Sequence, residues 1–143
     1  EQFELGLQIR DKISEANTAV IQIRRIKTEV ASRLAASKNA RLKAAGDRLT
    51  AALSAVEQDI YQVKNQSGQD PLNFPIKTNN RLASLLGMTL RGEGKPTANI
   101  YPIFEDLKQE LKAETDRLER VLASELPAFN REAARLKLAP IDR

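Results

Sequence analysis

The sequence predicts an all-α fold, an antiparallel helical bundle of three long helices and one short one, on three observations. Ala and Leu fill 37 of the 143 positions against 15 for Ile and Val together, the balance of a helix former rather than of a sheet. Apolar residues recur at steps of three and four over long stretches, which is the period of one helix face. Charged residues make up 29% of the chain and fill the positions between, as on the solvated sides of a bundle. One domain covering residues 1–143 is expected, since a chain of this length buries roughly 68–70% of the surface its unfolded form exposes.

The first helix is expected over about residues 2 to 35, its inner stripe running through Leu7, Ile9, Ile13, Ala16, Val20, Ile23, Val30 and Leu34. At ~1.5 Å per residue it makes a rod of roughly 50 Å, a bundle length. Lys27 interrupts the stripe and reads as a snorkelling stem beside Ile26. Ser37-Lys38-Asn39 reverses the chain, with Ser37 or Asn39 capping the next helix. That helix, about 38 to 66, carries Leu42, Ala45, Leu49, Ala52, Leu53, Val56, Ile60 and Val63 inward. Gly46 within it costs ~1 kcal/mol relative to Ala, and its small size suits a close approach of the first two helices.

Residues 67–75 cannot be helical, because Pro71 and Pro75 withhold amide donors and bias Asp70 and Phe74 toward extended backbone. Leu72 and Phe74 suit an ordered plug over the bundle better than a loose linker. Within and after this loop, Asp70, Asn73, Asn79 and Asn80 are short polar side chains able to tie down loop backbone, a structural role favoured over ligand contact. The short helix is expected from Ile76 to about Gly87, with Leu82, Leu85 and Leu86 inward, Pro75 at its start and Gly87 at its exit. Residues 88–96 read as a second loop, and Thr97 as the cap of the last helix.

The last stripe is Ile100, Phe104, Leu107, Leu111, Thr115, Leu118, Leu122, Leu126, Phe129, Ala133 and Leu136, close to eleven residues per three turns. Thr115 is then a lone inward polar group. Pro127 is expected to kink or divide this helix near Glu125, leaving segments of about 97–125 and 128–137, and Pro140 ends any continuation.

With no His, Cys or Trp, the chain has no imidazole or thiolate zinc site, no cysteine nucleophile and no Ser-His-Asp triad. Gly92-Glu93-Gly94-Lys95-Pro96-Thr97 fails the spacing of a phosphate-binding loop. Glu105, Asp106, Glu110, Glu114, Asp116 and Glu119 alternate with Lys108, Lys112, Arg117 and Arg120 and read as a solvated, ion-paired face over hydrocarbon inner stripes. No catalytic residue, metal site or cofactor is therefore expected. Asn65-Gln66-Ser67 matches a glycosylation sequon of a kind that arises by chance. The longest apolar run falls far short of the ~20 residues needed to cross a bilayer.

Twenty-three basic and 19 acidic residues leave a net charge of +4, which demands no nucleic-acid partner when the signs are mixed. The imbalance is local: Arg24, Arg25, Lys27, Arg33, Lys38, Arg41, Lys43 and Arg48 face only Glu29 and Asp47 between positions 24 and 48. A solvated helical corner is the favoured reading; an acidic or phosphate-bearing partner is the alternative.

The stretch Lys64-Asn65-Gln66-Ser67-Gly68-Gln69-Asp70-Pro71-Leu72-Asn73-Phe74-Pro75-Ile76-Lys77, continuing Asn79-Asn80-Arg81-Leu82-Ala83, resembles the C-terminal helical region of bacterial BNR-repeat proteins related to sortilin-type β-propellers, a group often labelled glycosyl hydrolases. Gln2-Phe3-Glu4-Leu5, Ile9-Arg10-Asp11, Ile23-Arg24-Arg25-Ile26, Pro96-Thr97, Tyr101-Pro102-Ile103-Phe104-Glu105-Asp106-Leu107 and Leu126-Pro127-Ala128-Phe129-Asn130 are similar to it too. The resemblance implies a non-catalytic structural or protein-interaction module, excised from a secreted or periplasmic protein in which it follows the propeller and a small β-sandwich. Its partners would be other domains of that parent or another protein. Glu1 in place of Met fits such an excision. The alternatives are a module holding an anionic polymer, lipid surface or acidic protein at the basic corner, and, more weakly, a carboxylate-based accessory domain of a glycoside hydrolase.

Overall fold

In the computed structural model, residues 2–61, 77–91 and 99–143 are described. Their regular structure is wholly helical: α1 (Gln2–Ala36), α2 (Ala40–Ile60), α3 (Thr78–Arg91) and α4 (Ile100–Arg135). The chain divides into two compact units, one of Glu1–Thr18 and Gln58–Glu114, the other of Ala19–Glu57 and Thr115–Arg143. No helix among the described residues is long and apolar enough to cross a membrane. The loop residues Asp70, Pro71, Leu72, Asn73, Phe74 and Pro75, and the cap Thr97, lie outside the described residues.

Each helix buries the stripe its period demands. In the first unit the core takes Leu5, Ile9 and Ala16 from α1, Ile60 from α2, Leu82 and Leu85 from α3, and Ile100, Phe104, Leu107 and Leu111 from α4. Leu7, expected inward, is 42% exposed while Leu5 is buried. The stripe thus begins one step earlier, as 5, 9, 16, 20. In the second unit α1 supplies Ile23, Ile26 and Val30, α2 supplies Leu42, Leu49, Leu53 and Val56, and α4 supplies Leu118, Leu122, Leu126 and Phe129. Burying a side chain of this size is favourable by about 1.5–3 kcal/mol.

The α1–α2 corner is built from two small residues. The Asn39 Oδ1 accepts hydrogen bonds from the backbone N–H of Arg41 at 2.9 Å and Leu42 at 3.1 Å, satisfying donors that the first turn of α2 leaves free. Further along, a Cβ at Gly46 would stand 3.1 Å from both methyls of Leu34 and 3.2 Å from Val30 Cγ1. A Cβ here would need Leu34 and Val30 to give by a few tenths of an ångström. Val30 and Leu34 meet Gly46, and Arg24 and Lys27 meet Glu57, so over this stretch the two helices run in opposite directions.

Three helices differ in extent from expectation. α2, expected to about residue 66, ends at Ile60, and Val63 lies outside the described residues. α3 passes through Gly87 and continues to Arg91, so residues 88–91 are helix rather than loop. Thr89 is buried, its hydroxyl donates to the Leu85 carbonyl, and its own carbonyl accepts from Gln2 Nε2 at 2.7 Å. The burial of Thr89 and its bond to Gln2 of α1 outweigh the ~1 kcal/mol that glycine costs a helix. α4 is one uninterrupted helix from Ile100 to Arg135 with Pro127 inside it, so the expected division near Glu125 does not occur. Pro127 has no N–H for the Ala123 carbonyl, a cost of about 3 kcal/mol or more. Leu126, Phe129 and Ala133, all buried around it, hold the helical course.

Beyond α4 the chain turns and is pinned back. Lys137 has a φ of 59°, the Leu138 N–H donates to the Ala133 carbonyl and the Lys137 N–H to the Ala134 carbonyl, the paired bonds that close a helix C-terminus through a left-handed residue. Asn130 then grips Ile141 from both sides, donating from Nδ2 to its carbonyl at 3.0 Å and accepting its N–H at 2.8 Å. The Ile141 side chain is buried.

Candidate functional site

The basic corner lies within the second unit, and the structure places a buried carboxylate in it that the sequence did not reveal. Glu57 is only 5% exposed. Its Oε2 accepts from Arg24 Nε at 2.7 Å and its Oε1 from Lys27 Nζ at 3.0 Å. Burial alone works to raise this carboxyl, but the hydrogen bonds and charges of Arg24 and Lys27 outweigh it and hold it below the usual carboxylate range. Lys27 therefore ends on an anion rather than in open water.

Four of the other six cations of the corner are engaged as well. Arg25 donates to Glu29 at 2.6 Å and to the Asp142 carbonyl at 2.9 Å. Arg33 donates to the carbonyls of Ala139 at 2.7 Å, Glu29 at 3.2 Å and Pro140 at 3.3 Å. Lys43 pairs with Asp47 at 2.7 Å, and Arg48 lies 3.8 Å from Glu125. Lys38 and Arg41 are exposed. Arg25 and Arg33 thus fasten the C-terminal tail, while Arg24 and Lys27 fasten α2.

A second polar cluster lies within the first unit, at the start of α3. Thr78 is fully buried, and its Oγ1 lies 2.9 Å from Glu110 Oε1, 2.9 Å from Glu114 Oε2 and 3.4 Å from the Asp59 carbonyl. Arg81 pairs with the same Glu110 oxygen. Asn79 Nδ2 donates to Asn17 Oδ1 at 2.6 Å, so Asn79 ties α3 to α1. Three buried polar atoms here have no partner: Asn80 Oδ1, Arg81 Nε and Glu114 Oε1.

Glu114 corrects the sequence reading. The periodicity places it on the solvated face, with Thr115 inward; in the structure Glu114 is 6% exposed and Thr115 only partly buried. Both positions fit between Leu111 and Leu118 at helical spacing, and periodicity alone does not choose between them. Burial raises the Glu114 carboxyl, the Thr78 hydroxyl opposes this, the negative charges of Glu110 and Asp59 add to it, and Arg81 opposes it. The net result is a carboxyl pushed up to about 7.

Beside this cluster a groove of about 300 Å³ is lined by Arg81, Ser84, Leu85, Met88, Ile103, Asp106, Leu107 and Glu110. Glu114 is not among its walls, so the one carboxyl tuned near neutrality does not face the groove. Among the described residues no group of three or more acidic side chains is arranged to hold a metal ion. Of the side chains outside the core, Phe3, Leu7, Ile21, Met88, Leu90, Tyr101 and Ile103 are large, apolar and exposed by 40% or more. Ile21 belongs to the second unit and the other six to the first, where Leu90 covers Gly6 and Met88 shares the groove with Ile103. No protein-family model, curated protein or solved structure matches the chain.

Proposed function

We propose that the chain is a non-catalytic structural and protein-interaction module, the C-terminal helical part of a secreted or periplasmic propeller protein. The observation that carries the non-catalytic reading is the engagement of its charged groups with one another. Glu57, Arg24, Lys27, Arg25 and Arg33 hold helices and tail together, and in the groove of the first unit Arg81 and Glu110 pair with each other, so these groups are committed to the fold. The exposed apolar side chains of the first unit supply what a protein partner buries. The placement beside a propeller and outside the cytoplasm rests on the resemblance of residues 64–83 and the other quoted segments.

Reading the coding sequence upstream of Glu1 tests the placement. BNR repeats followed by a small β-sandwich are the expected result. A reading frame that starts within a few codons of Glu1 overturns it.

A second reading, a module for an anionic polymer, lipid surface or acidic protein, is favoured by Lys38 and Arg41, which stand exposed at the α1–α2 corner beside Lys43. Such contact would release counterions and weaken steeply with salt.

A further inference from the structure

We infer that the Thr78–Glu110–Glu114 cluster is a proton-binding latch: it takes up one proton as the protein folds, and release of that proton as pH rises through neutrality loosens the start of α3 from α4. The inference rests on counting protons. The Thr78 hydroxyl has one hydrogen, yet it sits 2.9 Å from a carboxylate oxygen of Glu110 and 2.9 Å from one of Glu114. It donates to only one of them. With both carboxylates ionised the second contact would set lone pair against lone pair in a buried site.

One added proton resolves the conflict, and its place follows from the neighbours. Glu110 pairs with the Arg81 guanidinium, so Glu110 keeps its charge. Glu114 is 94% removed from solvent by its 6% exposure, and its Oε1 has no partner. An unpartnered oxygen costs far less on a neutral carboxylic acid than on a carboxylate. The proton therefore belongs on Glu114 Oε2, which donates to Thr78 Oγ1, which in turn donates to Glu110 Oε1. The charged groups around Glu114 are Glu110 on its own helix, Asp59 from α2 and Arg81 from α3. α1 enters the region through the uncharged Asn17, already bonded to Asn79. Two anions against one cation favour retention of the proton.

The relay joins two elements at one atom, the first residue of α3 and α4; the Asp59 carbonyl in the last turn of α2, at 3.4 Å, is a longer contact that receives no hydrogen in this arrangement. The sign of the effect is fixed by the folded state holding the proton more tightly than the unfolded one. The latch's contribution is complete below the ordinary carboxyl value of 4.5 and is lost as pH rises to about 7. Over that window the unfolding constant rises on the order of a hundredfold through this site alone.

The test compares denaturant unfolding of the whole chain at pH 5, 6, 7 and 8 for the wild type, Glu114→Gln and Glu110→Gln, with a carbon-13 carboxyl titration of the wild type. In Glu114→Gln the amide donates to Thr78 as the acid does, so the wild type should lose stability relative to this variant as pH rises, by tenfold or more in unfolding constant between pH 5 and pH 8. Glu110→Gln removes the neighbouring charge, and the remaining steep segment should move to lower pH. In the wild type one glutamate carboxyl should titrate well above the rest, and amides of the first turn of α3 should exchange faster at pH 8 than the pH dependence of intrinsic exchange explains. A Glu114→Gln curve parallel to the wild type overturns the inference. If that variant does not fold, a wild-type titration in which every glutamate has its midpoint below pH 5.5 does so by itself.

Discussion

Arg24 and Glu57 stand 33 positions apart in the chain and meet at 2.7 Å, the carboxylate buried and the guanidinium half in water. The two sides of this pair are therefore unequal. Replacing Glu57 by Gln lets Arg24 and Lys27 rehydrate and should cost about 1–2 kcal/mol. Replacing Arg24 and Lys27 together by Ala strands a buried carboxylate and should cost about 3–5 kcal/mol. Denaturant unfolding of the two variants at pH 7 checks the order. The pH dependence has a definite sign: the Glu57 carboxyl is lowered by folding, so its contribution is present above pH 4.5 and lost as pH falls through the folded value. Glu57→Gln should show a shallower acid loss than the wild type.

Gly46 should not accept a methyl group. Alanine gains ~1 kcal/mol of helix propensity, but its Cβ would press on Leu34 and the buried, χ1-restricted Val30 at 3.1–3.2 Å. Overpacking of this kind costs about 1–3 kcal/mol, so Gly46→Ala should lose about 1 kcal/mol net and Gly46→Val more. In a double-mutant cycle with Val30→Ala the two changes should compensate. Strict additivity would mean that the two helices do not touch here.

Lys137 pays a steric cost by standing at φ 59° where glycine is the usual residue. Lys137→Gly should raise stability by about 0.5–1 kcal/mol, visible as a higher melting temperature with an unchanged circular-dichroism spectrum. A fall in melting temperature would mean that the Lys137 side chain does more than the backbone geometry requires.

The tail after α4 is a fixed part of the second unit. Ile141→Ala should cost about 2–4 kcal/mol, the range for a buried aliphatic side chain, and Asn130→Ala about 1–2 kcal/mol for the two bonds lost. Limited proteolysis provides the readout, with cleavage between Lys137 and Arg143 accelerated in both variants and slow in the wild type.

Much of the fold was legible because its signals are local or periodic. The stripes of α2 and α4, the Asn39 cap and the tight passage at Gly46 all follow from residue type and spacing. Positions decided by partners far away in sequence were not legible. Glu114 rather than Thr115 turns inward because Thr78, 36 positions earlier, offers a hydroxyl, and the buried end of Glu57 exists because two cations of α1 reach it. Gly87 and Pro127 carry strong local stop signals, yet Thr89 with Gln2, and Leu126 with Phe129, keep both helices going. Leu5 rather than Leu7 turns inward because it stands one helical turn before Ile9, whereas Leu7, two residues before it, lies on another face. Of the basic corner, the residue types were readable and their engagement was not, since the carbonyls of residues 139, 140 and 142 have no sequence signature.

The most direct test of the central claim, that this corner binds its own chain rather than a ligand, is calorimetric titration of the intact protein with polyphosphate at 20 and 150 mM salt. The account predicts no saturable binding at 150 mM and at most a weak, non-saturating signal at 20 mM from Lys38 and Arg41. Saturable micromolar binding at 150 mM salt, abolished by Arg25→Ala with Arg33→Ala while the fold persists, would contradict it.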